Sequence, residues 1–109
     1  MSGPFVNQLR TRGEVIELAS PGGPAITVRV EMPEVWDVVL VRASPDERIL
    51  LVKLRALEAL SPGNEPHEEY VLKLHGWEVL DEEATLASTG AVDGSIFLLT
   101  HRRRRAIRS

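Results

Sequence analysis

The chain has no cysteine, so it carries no disulfide framework, no thiolate nucleophile and no cysteine-ligated zinc. It has no apolar run of the eighteen or more residues that a membrane-spanning helix needs. Its opening residues, MSGPFVNQLRTR, lack the apolar stretch of a secretory signal. These three absences lead us to expect a soluble cytoplasmic protein with no membrane insertion. Aromatic residues are scarce at 5%, and none is interleaved with the basic residues as a stacking platform for nucleic acid. Lysine is scarcer still: Lys53 and Lys73 are the only two. Histidines are three and scattered, His67, His75 and His101, with no ligand spacing. The SPGGP stretch lacks the Lys and Ser/Thr of a phosphate-binding loop. We therefore expect no catalytic residues, no metal site and no cofactor. The acidic run Asp81–Glu83 reads as a solvated or structural loop.

What is present is one domain's worth of chain, 109 residues with 43% hydrophobic content. The net charge of −3 conceals a division. Between Gly13 and His101 there are sixteen acidic residues against six basic ones, a balance of −10. Arg10 and Arg12 precede that body, and Arg102, Arg103, Arg104, Arg105 and Arg108 follow it.

Periodicity orders the elements. EVIELA (Glu14–Ala19) alternates as a short strand, and AITVRVEM (Ala25–Met32) alternates cleanly with Ile26, Val28, Val30 and Met32 on one face. VWDVVLVRA (Val35–Ala43) is its hairpin partner after Pro33-Glu34. A helix is expected over 46–60, capped by Ser44 or Asp46 with Pro45 at its first position. A strand then reaches Leu74, turns at His75-Gly76 and continues as a second short strand. After a connection with one helical turn comes the last strand, Ile96–Thr100.

In this order the motifs resemble ubiquitin and its relatives. Pro45, Ile49, Val52 and Lys53 match the family's Pro-x-x-x-Ile-x-x-Val-Lys helix start. Leu74, Gly76, Leu80, Asp81, Glu82, Thr85 and Leu86 match its turn and the stretch that follows, with one extra residue after Gly76. The resemblance spans about residues 25–104 and implies an α+β fold, the ubiquitin-like β-grasp, in which a mixed sheet wraps one helix and its first and last strands run parallel at the centre. LASTGAVDGSIFLL further resembles bacterial ubiquitin-like proteins of the YukD type found in type VII secretion systems. Three regions follow: an extension over 1–24 whose short strand packs on the sheet, a domain over 25–101 and an arginine tail over 102–109.

The departures from the family carry the functional expectations. No glycine follows Gly94, so the diglycine end of conjugated relatives is missing. The centre of ubiquitin's recognition patch falls on Lys73, and its last-strand histidine and valine fall on Leu98 and Thr100. The expected function is a protein-interaction module. The alternatives are a modifier activated through another or a processed C-terminus, and a nucleic-acid-associated factor using Arg102–Arg105, the latter opposed by the acidic body. Strand alternation places Trp36, Val38, Leu40, Val71, Ile96 and Leu98 on an outward, contiguous apolar face. That face is a surface for a partner, for self-association, or for the N-terminal segment (Phe5, Val6, Leu9, Val15, Ile16, Leu18) folding back. On a helical wheel, Lys53 lies in the middle of the apolar arc. There its ammonium needs a carboxylate, and the resemblance offers Asp81 or Glu82.

Overall fold

The computed structural model describes residues 15–63 and 66–102. Six strands form one sheet in the order β1-β3-β2-β6-β4-β5. They are β1 (Val15–Glu17), β2 (Ile26–Met32), β3 (Asp37–Ala43), β4 (Tyr70–Leu74), β5 (Trp77–Glu78) and β6 (Ile96–His101), and α1 (Ile49–Leu60) packs across one face. As expected, β2 and β6 are the parallel central pair, with Val30 opposite Phe97. β2 and β3 form the antiparallel hairpin, and β4 lies antiparallel to β6.

Alternation decides what enters the core. Val28, Val30 and Met32 of β2, Val39, Val41 and Ala43 of β3, Leu72 and Leu74 of β4 and Phe97 and Leu99 of β6 all turn to the helix side. From α1, Ile49, Val52, Ala56, Leu57 and Leu60 meet them, at the i, i+3, i+7 spacing of one helix face.

The helix starts later than the sequence suggested, and without a side-chain cap: its N-cap residue is Arg48. Residues 44–47 instead form a turn in which Ser44 Oγ accepts the Asp46 N–H at 3.0 Å. The first-turn donors that a cap would satisfy go to a distant loop. Ile49 N–H donates to the Ala84 carbonyl at 2.9 Å and Leu50 N–H to the Glu82 carbonyl at 2.8 Å. The cap is thus built from backbone more than thirty residues downstream.

The His75-Gly76 turn was expected, and both residues sit in the left-handed region (φ 56° and 83°). That suits a tight hairpin of the type that matches strand twist. Leu80, matched above to the family's motif after the turn, is 79% exposed. Val79 takes the inward role, packing on the core and donating its N–H to Leu72 O at 2.9 Å. The residue that faces the core after the short strand is therefore Val79 and not Leu80.

The segment 15–17 does not fold back over the sheet. It adds a parallel edge strand beside β3, pairing Ile16 with Val41. Ile16 and Leu18 pack against the core from that edge. Phe5, Val6 and Leu9 lie outside the described residues.

Candidate functional site

The helix covers one face of the sheet, so the candidate surface is the other. Its rows follow from the register. Glu31 stands between Val38 and Leu98, and Arg29 between Leu40 and Ile96. Lys73 lies across from Leu98 on one side and Glu78 on the other. The contiguous apolar patch expected from the sequence is therefore divided. β2 separates β3 from β6, and it turns Thr27, Arg29 and Glu31 to this side. Arg29 Nε donates to Glu31 Oε2 at 2.8 Å, placing an ion pair in the middle of the face. The expectation failed because it placed β3 and β6 on one surface without the strand between them.

The six candidate residues fare differently. Ile96 is 50% exposed, and Val38, Leu40 and Leu98 are half-buried. Val71 is only 1% exposed and so cannot offer contact area. It is the cross-strand partner of Thr100, over which the hairpin folds. There the Thr100 hydroxyl donates to Glu34 Oε2 at 2.7 Å and the His101 N–H to the same oxygen at 3.1 Å. Trp36 is not part of β3. It ends the 3₁₀ turn Pro33–Val35 in the left-handed conformation (φ 54°, ψ 45°), with its N–H donating to Pro33 O. Its side chain is 93% exposed. A left-handed backbone is an outlier for so bulky a residue, and no periodicity signals it.

Two shallow depressions meet at Glu31. One, of about 620 Å³, is lined by Lys73, His75, Val92, Asp93, Ile96 and Leu98 among others. The second, of about 320 Å³, is lined by Arg29, Met32, Pro33, Trp36, Asp37 and Val38 with Glu31. The second reaches the hairpin tip and the first the 92–95 turn. That turn is locked onto β2: Asp93 Oδ1 accepts the Thr27 N–H at 2.8 Å and Gly94 N–H donates to Thr27 O at 2.7 Å.

Glu34 fixes the hairpin at the other end. Partial burial alone would raise its carboxyl pKa. Hydrogen bonds from the Thr100 hydroxyl, the His101 N–H and its own N–H, with the charge of His101, outweigh burial and hold it below the usual 4.5. β6 then delivers Arg102. Its N–H donates to Glu69 O at 2.7 Å and its Nε to Glu68 O at 3.1 Å, while its guanidinium lies 3.9 Å from Glu78. Arg102 is thus tied to the domain rather than being the first residue of a separate tail. Arg103, Arg104 and Arg105 lie outside the described residues.

Inside the domain, Lys53 is fully buried. Its ammonium donates to Glu82 Oε2 at 2.6 Å and to the Tyr70 carbonyl at 3.1 Å. Of the two acids proposed for it, Glu82 is the partner. Asp81 is exposed and accepts the Glu83 N–H instead. This pair joins the helix to the loop that caps it and to the start of β4, which makes it structural. Among the described residues no group of three or more His, Asp or Glu is arranged to hold a metal, and no helix is long and apolar enough to cross a membrane.

No family model matches the chain, and no curated protein is significantly similar to it in sequence. Solved structures are similar in shape. The ubiquitin-like domain of an Arabidopsis thaliana protein is 18% identical with a TM-score of 0.63, over 83% of this chain and 90% of that one. Ubiquitin of Caldiarchaeum subterraneum is 18% identical with a TM-score of 0.61, over 75% of this chain and 99% of that one. The ubiquitin-like domain of Plasmodium falciparum Dsk2 is 22% identical with a TM-score of 0.58, over 71% and 97%. With the strand order and the parallel centre, these likenesses give the conclusion that the chain has the ubiquitin-like β-grasp fold.

Proposed function

We propose that this protein is a non-catalytic interaction module that binds a protein partner through the outer face of its sheet. The observation that supports it most is the pair of depressions that meet at Glu31. Ile96 is half exposed, and Val92 at 63% and Trp36 at 93% are more so, around an otherwise polar centre. Large apolar side chains left in water beside such depressions are the ordinary mark of a recognition surface. The charged pair Arg29–Glu31 in its centre would give register and selectivity more than affinity. The resemblance of LASTGAVDGSIFLL to bacterial ubiquitin-like proteins supports a cytoplasmic setting in a bacterium, beside a secretion apparatus.

The test is co-purification from the native host with wild type and with Ile96→Lys and Leu98→Lys. Both variants should keep the far-UV circular dichroism spectrum and lose the proteins that co-purify with wild type. Retention of the same partners by both variants would refute the outer-face reading. Incubation with an activating enzyme and ATP checks the competing modifier reading, since C-terminal adenylation would establish it.

A further inference from the structure

The outer face holds a projection and a hollow at opposite corners, and what they imply rests on the interaction-module reading above. Trp36 stands at the turn joining β2 to β3, almost fully exposed on a left-handed backbone. Strain of that kind persists where the surroundings hold it in place. Here they do: Pro33 opens the turn, Trp36 N–H closes it, and Glu34 ties it to Thr100 and His101. The larger depression lies at the other end of the neighbouring strands, where the 92–95 turn enters β6 and β4 gives way to His75. The order β3-β2-β6-β4 puts projection and hollow on one diagonal of the face, and Glu31, which lines both depressions, lies between them. The hollow has aliphatic walls, Val92, Ile96 and Leu98, with Lys73 at its border. Glu78, across from Lys73, lies toward Arg102, and Lys73 has no ion pair among the described residues. An indole suits such a hollow, because its rings pack on the aliphatic walls and its π-face receives the ammonium.

Charge narrows the choice of what brings the indole. Residues 13–102 hold sixteen acidic and seven basic residues, a balance of −9. The strands turn Arg29, Arg42 and Lys73 to the outer face against Glu17, Glu31 and Glu78, a balance of zero. Four of these six are already paired, Arg29 with Glu31 and Arg42 with Glu17. The rim adds Glu34, Asp37 and Asp93 against Arg102, which leaves −2 on this side. A strongly charged partner finds little field to steer it here, whereas two copies meeting by this side avoid most of their mutual repulsion.

We infer that two copies of this chain pack outer face to outer face, with the Trp36 indole of each seated in the depression that Lys73, Val92, Ile96 and Leu98 form in the other. A twofold axis lying in the face along the other diagonal exchanges the two corners. Both indoles are then seated at once, and the contact closes at two copies. The strands of the two sheets cross at nearly right angles, one of the standard ways in which sheets stack. Stacked sheets lie about 10 Å apart, so a residue that projects is needed to reach a hollow in the opposite sheet. Glu31 falls near the axis with its own Arg29 beside it, so ion pairs rather than lone carboxylates meet there. Two indoles bury about 300–500 Å², well short of the roughly 1,200 Å² at which stable interfaces begin. The dimer is therefore a weak one, with a micromolar or higher dissociation constant.

Sedimentation velocity of the full chain from about 10 µM to about 1 mM reads the association. The mass should rise from 12.1 kDa toward twice that value. Trp36→Ala should weaken association at least about tenfold, since each dimer loses two anchors, whereas Trp77→Ala, at the other exposed tryptophan, should leave it unchanged. The absence of cysteine allows the corners to be mapped. Val35→Cys places a thiol beside Trp36 and Val92→Cys places one at the hollow, both at exposed positions. In an equimolar mixture of these two variants, a thiol cross-linker should join unlike chains in preference to like ones. A wild type that stays monomeric at the highest concentration would overturn the inference, whether a host protein or the N-terminal segment then takes the face. So would a loss for Trp77→Ala equal to that for Trp36→Ala, or cross-linking of like chains alone. None of those results would touch the outer-face reading, which stands or falls with the host proteins that Ile96→Lys and Leu98→Lys lose.

Discussion

Replacing Lys53 by methionine keeps most of the apolar stem and removes only the ammonium. In the wild type that ammonium is fully buried and satisfies two acceptors, Glu82 Oε2 at 2.6 Å and Tyr70 O at 3.1 Å. Without it, a carboxylate and a carbonyl lose their donor in a region from which water is largely excluded. Stranding one member of a buried ion pair costs about 3–5 kcal/mol. The Glu82 side chain is 20% exposed and can draw in water, which places the expected loss near the lower end, about 3 kcal/mol. Lys53→Ala should cost about 2 kcal/mol more, because three further heavy atoms leave the core. Adding Glu82→Leu to Lys53→Met removes the stranded charge and should recover at least half of the loss, since apolar replacement of a whole buried pair is often close to neutral. Urea unfolding followed by far-UV circular dichroism is the suitable assay. Trp36 and Trp77, at 93% and 78% exposure, already sit in water in the folded state and make poor fluorescence reporters. A loss below about 1 kcal/mol for Lys53→Met would place it among ordinary surface substitutions and refute the argument. So would a double variant no more stable than the single one.

Glu34→Gln should loosen the hairpin in a pH-dependent way. The folded carboxyl is held below its usual 4.5, so its contribution is present above that value and disappears as pH falls through the lower folded pKa. Melting temperatures of wild type and variant should differ at pH 7 and converge below pH 4.5; a constant gap would show that the charge is irrelevant. Trp36→Gly should leave stability unchanged or raise it by up to about 1 kcal/mol by relieving the left-handed strain, and a clear drop in urea midpoint would show that the indole packs. Val79→Ala should destabilise by about 1 kcal/mol or more, whereas Leu80→Ala should stay within about 0.5 kcal/mol. Reversal of that order would restore the register in which Leu80 faces the core.

The fold was legible because its signals are local. Alternation in Ile26–Met32 and the wheel around Ile49 sort inward from outward residues without knowledge of any partner strand, and the same wheel exposed Lys53 as an anomaly needing an acid. Two of the misreadings depend on long-range placement, and a third on one residue's backbone. That Arg29 and Glu31 divide the outer face follows from β6 lying beside β2, a pairing no neighbouring residue announces. The helix begins at Ile49 rather than Asp46 because its donors find carbonyls at Glu82 and Ala84, so the apparent cap at Ser44 was put to use in a turn. Trp36 in the left-handed region contradicts the residue's own preferences, which is why alternation wrongly extended β3 to include it.

The pairing at the centre of the sheet also bears on how the chain is made. Arg29 to Glu31 lie against Ile96 to Leu98, so the two strands that hold the sheet together are synthesised near opposite ends of the domain. Closing a loop of that length costs about 4 kcal/mol in chain entropy before any contact repays it. The helix waits on the same event, because the carbonyls that cap it belong to residues 82 and 84. A nascent chain halted before Ile96 would therefore hold a hairpin with one apolar face open and a helix with unmet donors, a state exposed to aggregation and proteolysis. Such a topology ties folding to the emergence of β6: the domain is completed in one cooperative step once its last strand is free, with little to gain from starting earlier.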